Sequence, residues 1–312
     1  MELQMISDVV GILKDAYKIF CKNVKLMLSV ALLSLSFNSV IYLSNIFSTT
    51  PLISDLFSKQ SLLITTTPGS PEFASLLLSI KEDIRIFVGV EWIFLIINFI
   101  SAIFITTVII FASAFTHNGK ALSFKELLLK TLKAWKRPLV TWFYVNLLAS
   151  GFLIIFIIIL IPVFLVMDSP FKPSIVSIVL IVLVTVLYTY LAVVWTLALV
   201  VSVLEDKCGI EALGKAAQLI KGMKLEGFLL NLLFTILNSG LLQGMRFIPG
   251  KHPFIVGLII VNFIGLLRMF WLMTYTVLYY DSKKTHGEGV EFQGSLDYVK
   301  VPTTPLIADD MA

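Results

Sequence analysis

Long uncharged apolar runs alternate with short charged segments along the chain. Six of the runs are long enough to cross a bilayer, since a spanning helix needs about 20 apolar residues. They lie at about residues 26–47, 88–115, 139–166, 174–204, 225–243 and 254–280. The pattern predicts an all-α, polytopic bundle of six transmembrane helices. These form a single integral membrane domain over residues 1–280.

Three charged segments carry apolar residues at helical spacing with lysines between them, and each leads directly into two spans. They cover residues 12–23, 127–138 and 212–223, and Pro138 is expected to end the second. We interpret them as three amphipathic helices that lie on the membrane surface. Their order fits three repeats of a surface helix plus a helical hairpin. Alternatively, interfacial helices converge on this composition without being repeats.

The longest connection, residues 48–87, contains the turn-forming sequence TTTPGSPE. We expect a loop there. Ser70, Pro71 and Glu72 form a helix-start signal, which predicts a short helix over residues 73–85 outside the membrane core. Ser123 and Glu126 fit a capping box before the second surface helix. Residues 281–312 are polar and contain glycine and proline, which predicts a disordered cytoplasmic tail.

Composition supports the membrane assignment and excludes several functions. The chain is 58% apolar and 14% charged, whereas soluble domains are about half apolar and a quarter charged. The net charge of +4 is small and no basic run interleaves with aromatic residues, so nucleic acid is not an expected partner. Two scattered cysteines and three scattered histidines predict neither a disulfide framework nor a metal site, and no cofactor is expected.

Lysine and arginine are distributed unequally between the two sides of a six-span topology. One side carries 17 of them, in the N-terminal segment, residues 116–138, residues 205–224 and the tail, and the other side carries 6. Short loops rich in lysine and arginine stay in the cytoplasm. Both termini and the three surface helices are therefore predicted to be cytoplasmic. The pattern does not distinguish an endomembrane from the plasma membrane.

Arg268 lies near the middle of the last predicted span. A charged side chain at that depth costs at least about 2.5–3.5 kcal/mol and needs a partner or a wet cavity. A solute site or gate is one interpretation, and a purely structural arginine bonded within the bundle is the other. The candidate polar partners within the spans are Asn38, Asn98, Asn146, Asn231, Asn238, Asn262 and, nearer the outer surface, Glu91.

Charged residues at the ends of spans offer further candidates. Neighbouring carboxylates at Glu205 and Asp206 could serve metal or acid–base chemistry. A local role is favoured, with an acid at the positive end of the next helix. Lysines of the surface helices could bind anionic lipid head groups at about 1 kcal/mol each, or could only set topology. The lysines in question are Lys130, Lys133, Lys215 and Lys221.

A stretch of about thirty residues, 193–222, resembles a plant family of uncharacterised six-span multi-pass membrane proteins. The motif residues are Glu205, Asp206, Cys208, Gly209 and Gly222. More distantly, Glu205, Gly209, Ala212 and Leu213 form a pattern similar to the membrane domain of some prokaryotic glycerophosphodiester phosphodiesterases. The chain has no segment that resembles their catalytic domain, so the resemblance implies the six-span layout and no enzymatic activity.

No catalytic motif is present in the sequence, which favours a protein that is not an enzyme. The first hypothesis is an organiser of lipids or partner proteins that acts through cytoplasmic surface helices. The alternative is a transporter or lipid-translocating protein with a polar interior around Arg268. The sequence slightly favours the organiser, because only one span carries a charge near its centre. Membrane lipids, anionic ones among them, and membrane proteins are the expected partners, and the oligomeric state is left open.

Overall fold

The computed structural model describes residues 2–120, 122–165, 175–247 and 253–287 of the chain. Within these ranges the secondary structure is entirely helical, which confirms the all-α prediction. The α-helices are α1 Glu2–Lys22, α2 Val24–Thr65, α3 Pro71–His117, α4 Phe124–Ala134, α5 Lys136–Leu165, α6 Ile175–Leu204, α7 Gly209–Leu219, α8 Lys224–Phe247 and α9 Pro253–Thr285, with a 3-10 turn at Ile220–Gly222.

Six of these helices are long and apolar enough to span a membrane: α2, α3, α5, α6, α8 and α9. Each overlaps one of the six predicted spans, as expected of a multi-pass membrane protein. The three shorter helices, α1, α4 and α7, each precede two of the long ones. The short helices lie near the C-terminal ends of α3, α6 and α9. We call this region the short-helix end of the bundle.

The predicted loop after the first span is wrong, because α2 continues to Thr65 and α3 begins at Pro71. At about 1.5 Å per residue, both helices are longer than 60 Å and exceed a hydrocarbon core of about 30 Å. Lys59 pairs with Asp55 one turn away and with Asp83 of α3, which holds the extension together. The connection between the two helices occupies only residues 66–70, within the turn-forming sequence. We call this the hairpin end.

Two helix starts predicted from local signals are confirmed. The Ser70 hydroxyl accepts from the Phe73 N–H at 3.1 Å, with Pro71 and Glu72 in the first turn of α3. Glu126 accepts from the backbone N–H of Ser123 at 3.0 Å, as a capping box requires. Each signal lies within four residues of the group that it binds.

Two predicted helix boundaries are wrong. Pro138 lies in the first turn of α5 and does not end the preceding helix. Proline is tolerated there because the N–H groups of a helix's first turn have no partner within the helix. At the other end of the chain, α9 runs to Thr285, so residues 281–285 are helical and do not belong to a disordered tail. The rest of the predicted tail, residues 288–312, lies outside the described residues.

The hydrophobic core is concentrated towards the short-helix end. It includes residues of α2 before Phe37, of α3 after Ile103, of α6 after Tyr190 and the last turns of α9. The apolar faces of α1 and α7 also belong to it. The α1 residues Val9, Ile12, Ala16 and Ile19 are buried, as are Ala212, Ala216 and Leu219 of α7. These two helices therefore bury their apolar faces against the bundle itself.

Candidate functional site

Two cavities lie between the long helices, and Arg268 of α9 lines both of them. Cavity one, about 630 Å³, is bounded by α2, α3 and α9. Cavity two, about 610 Å³, is bounded by α3, α5, α6, α8 and α9. The arginine that the sequence singled out is therefore part of the wall between two internal spaces.

Arg268 has an exposed side chain and lines both cavities. Its Nη2 donates a hydrogen bond to the Thr106 hydroxyl of α3 at 2.9 Å. The Thr106 side chain lines cavity two. A guanidinium carries five N–H donors. A single hydroxyl therefore cannot saturate it, and a ligand in either cavity can be reached by the same charged group.

Cavity two combines one charge with many neutral polar groups. Among the lining residues that the structure describes, Arg268 is the only charged side chain. The polar groups are hydroxyls and amides, while the walls are largely apolar and include three tryptophans. Trp271, one turn after Arg268, has a buried indole N–H without a hydrogen-bond partner among the described residues. The other two tryptophans are Trp142 of α5 and Trp195 of α6.

Cavity one carries a carboxylate in addition to Arg268. Glu91 of α3 accepts a hydrogen bond at Oε1 from the Asn45 side chain of α2, at 3.3 Å. Glu91 precedes Thr106 by fifteen residues in one continuous helix, which separates them by about 22 Å along its axis. Because Arg268 is bonded to Thr106, Glu91 and Arg268 lie at opposite ends of the cavity and do not neutralise each other.

The structure sorts the six asparagines singled out by the sequence into three groups. Asn38 and Asn98 line cavity one, Asn146, Asn231 and Asn238 line cavity two, and Asn262 lines neither. Asn262 exchanges hydrogen bonds with the Ser39 hydroxyl and ties α9 to α2. Asn231 donates to the backbone carbonyl of Thr189 at 3.0 Å and ties α8 to α6. Only some of the set therefore surrounds the Arg268 site.

The sequence favours a local role for Glu205 at the start of the following helix, but the structure places it elsewhere. Helix α7 begins at Gly209 with Cys208 before it. Instead, Glu205 accepts a hydrogen bond from the Tyr279 hydroxyl at 2.7 Å and pairs with Lys283 at 3.1 Å. Both partners lie in α9. The carboxylate thus fixes the end of α6 against the end of α9.

The neighbouring motif residues connect α7 to α5 and α9. Asp206 pairs with Arg137 of α5. The buried Gly209 N–H donates to the Thr141 hydroxyl of α5 at 2.9 Å. A Cβ added at Gly222 would lie 3.3 Å from a methyl carbon of Thr285, so this glycine permits a close approach to α9. The motif organises the short-helix end by contacts between helices.

The four candidate lipid-binding lysines differ in exposure. Lys133 and Lys221 are exposed, whereas Lys130 and Lys215 are half-buried. The Lys130 ammonium lies over the Phe115 ring, 4.5 Å from its centre. Exposed apolar side chains accompany the lysines of α4, namely Leu129, Leu132 and Trp135.

The sequence did not single out Thr106 or Thr141, which the structure places at these sites. Hydroxyls within apolar runs are common in membrane helices, and nothing local marks them.

Comparison with known proteins gives a family and no named relative. A family model described as "Domain of unknown function (DUF8558)" matches residues 1–306, nearly the whole chain. No curated protein and no solved structure matches the sequence. The resemblance to a plant family and to the membrane domain of glycerophosphodiester phosphodiesterases stays a prediction.

Proposed function

The chain belongs to the DUF8558 family, and we propose that it binds an anionic amphiphile in cavity two and moves it as a transporter or lipid-translocating protein. The observation that carries the proposal is the position of Arg268. Among the described residues that line cavity two it is the only charged one, and it also lines cavity one. One cation in an otherwise neutral cavity favours a ligand with a negative group.

The chemistry around Arg268 suits an oxygen-rich head group. The guanidinium binds carboxylate and phosphate oxygens in pairs. Thr106 holds the guanidinium, and the Trp271 side chain lines the same cavity one turn after Arg268. Hydroxyls of Thr185, Thr189 and Thr196 line the same cavity. These groups could replace part of the hydration that an anionic head group loses on entering the bundle.

The surroundings of the cavity suit a ligand with acyl chains more than a small inorganic anion. Tryptophan and aliphatic side chains form most of the wall. Beyond it, the outer parts of α5 and α6 expose a continuous series of leucine, isoleucine and valine side chains. An amphiphile could therefore keep its chains in contact with apolar surface while its head group reaches Arg268.

The proposal predicts that Arg268→Met slows transport of an anionic lipid. Purified protein in liposomes would be offered fluorescent phosphatidylserine or phosphatidylcholine, and the rate of lipid movement across the bilayer would be measured. Because hydrogen bonds to a charged group contribute about 1.5–3 kcal/mol, we expect phosphatidylserine movement to slow about tenfold or more. Lys133→Met removes an exposed cation outside both cavities and serves as the matched control.

Two results would contradict the transport proposal. One is wild-type protein that moves neither lipid faster than empty liposomes do. The other is an equal loss in Arg268→Met and Lys133→Met, which would make the effect one of surface charge. Gel filtration and thermal unfolding of each variant would establish that the protein is folded before transport is compared.

The second candidate function is an organiser of anionic lipids or partner proteins at the short-helix end, which we propose is cytoplasmic. Exposed Leu129, Leu132 and Trp135 beside exposed Lys133 favour it, since an apolar surface next to a cation suits a membrane interface. The burial of the apolar faces of α1 and α7 weakens it, because those faces contact the bundle. In the same liposome experiment, an organiser would bind anionic liposomes through Lys133 and Lys221 without moving lipid.

A further inference from the structure

We propose that the outer part of cavity one, around Glu91, is a binding site for an organic ammonium group. This site is separate from the proposed function of Arg268 and does not depend on it. It lies in the half of the cavity nearer the hairpin end. Its ligand would carry a primary amine or a quaternary ammonium.

Aromatic residues of two helices line cavity one together with Glu91. In α3, Phe87 lies one turn before Glu91 and Phe94 one turn after it, so that all three share a face of the helix. All three line cavity one. From α2, Tyr42 and Asn45 line the same space. A carboxylate and several aromatic residues therefore share one cavity between the two helices.

This combination is the chemistry that recognises organic cations. The faces of phenylalanine, tyrosine and tryptophan attract ammonium groups, and several rings together form the aromatic cages that bind choline and methylated amines. A carboxylate supplies the opposite charge. The Asn45 side chain, which donates to Glu91 Oε1 at 3.3 Å, holds that carboxylate in orientation.

A purely structural role explains the position of Glu91 less well than a ligand-binding role does. An acidic residue within a membrane helix normally faces a partner or a wet cavity and marks a functional site. Thr106, which binds Arg268, lies about 22 Å from Glu91 along α3, and the described residues show no ion pair between Arg268 and Glu91. The partner that the described residues supply is one neutral amide, which leaves the negative charge available to a ligand.

The ammonium could belong to a lipid head group or to a free amine, and one experiment separates the two sources. Purified full-length protein would be tested for saturable binding of radiolabelled tetramethylammonium. In parallel it would be placed in nanodiscs of equal parts phosphatidylcholine and phosphatidylglycerol, and the lipid retained after extraction would be counted. Tetramethylammonium binding identifies a site open to free amines, and retained phosphatidylcholine with no such binding identifies a lipid site.

Glu91→Gln removes the charge while keeping an oxygen for Asn45. We expect it to weaken whichever binding is observed by about tenfold or more, since it loses a charge-assisted interaction. The matched control is Glu82→Gln, which makes the same change at an exposed position of α3 outside the cavity. It is expected to bind as the wild type does.

The proposal is overturned if wild-type protein neither binds tetramethylammonium nor retains phosphatidylcholine over phosphatidylglycerol. It is also overturned if Glu91→Gln and Glu82→Gln behave alike. If Glu91→Gln does not fold, Phe87→Leu and Phe94→Leu test the aromatic rings with the carboxylate intact, and unchanged binding in both rejects the site. Lipid movement through Arg268 is measured separately, so either proposal can fail without the other.

Discussion

Gly209 shows how strongly a single residue can be constrained at the short-helix end. Its φ of +57° lies in the left-handed region, where a side chain costs about 1–2 kcal/mol. An added Cβ would also lie 3.0 Å from two ring carbons of Tyr144. Its buried N–H is bound by Thr141. Conformation and space therefore both favour glycine at this position, and the hydrogen bond excludes only proline.

Gly209→Ala is expected to destabilise the protein by at least about 1–2 kcal/mol, because both the backbone and the Tyr144 ring resist the change. Thermal unfolding of the purified protein would measure it. The control is Gly214→Ala in the same helix, where an added Cβ meets nothing within 4 Å. Alanine there should raise stability by up to about 1 kcal/mol through helix propensity. Equal effects of the two substitutions would refute the argument for Gly209.

Residues whose partners are near in sequence could be predicted, and residues with distant partners could not. Ser70 and Glu126 bind groups three residues away, so their sequence signals were sufficient. Glu205 was assigned a local role, yet its partner Tyr279 follows it by 74 residues. For Arg268 the sequence indicated the cost of burial. Only tertiary packing could reveal that it lines two cavities.

At the scale of elements, the largest departure from the sequence prediction is the length of α2 and α3. Polar residues between residues 48 and 87 suggested that the membrane helices end there. A helix that leaves the bilayer can continue in water where charged pairs support it, and Lys59 with Asp55 and Asp83 provides such pairs. Hydropathy reports where the bilayer ends, which differs from where the helix ends.

Asp83→Asn tests whether the pair between α2 and α3 holds the hairpin end together. We expect faster backbone hydrogen exchange in residues 48–65 and 71–87 only, because Lys59 would keep its partner within α2 and lose the one in α3. Mass spectrometry of the exchanged protein would locate the change. Glu82→Gln, one position away and exposed, is the control. Unchanged exchange in Asp83→Asn would show that apolar contacts alone hold the hairpin.

At the scale of the whole molecule, the two cysteines report on topology. Both Cys21 and Cys208 are exposed, and they belong to α1 and to the residue before α7. The chain contains no other cysteine. In a six-span topology, an even number of spans lies between the two cysteines, so the two thiols should face the same side of the membrane. The lysine and arginine distribution predicts that this side is the cytoplasm.

A membrane-impermeant maleimide should therefore label both cysteines from one side only. Inside-out vesicles are expected to give labelling of the wild type, and right-side-out vesicles none. Cys21→Ser and Cys208→Ser report each site alone. Labelling of the two from opposite sides would rule out the six-span topology, and labelling of both from the outside would reverse the predicted orientation.

The concentration of the core at the short-helix end has a consequence for the surrounding lipid. Near that end the helices are packed and their contact faces are closed, whereas towards the hairpin end α3, α5, α6 and α8 expose much of their apolar surface. Acyl chains of one leaflet would therefore reach between helices, and chains of the other would meet a closed wall. The annular shell of this protein should be asymmetric, with its slowly exchanging lipids drawn mainly from the leaflet nearer the hairpin end.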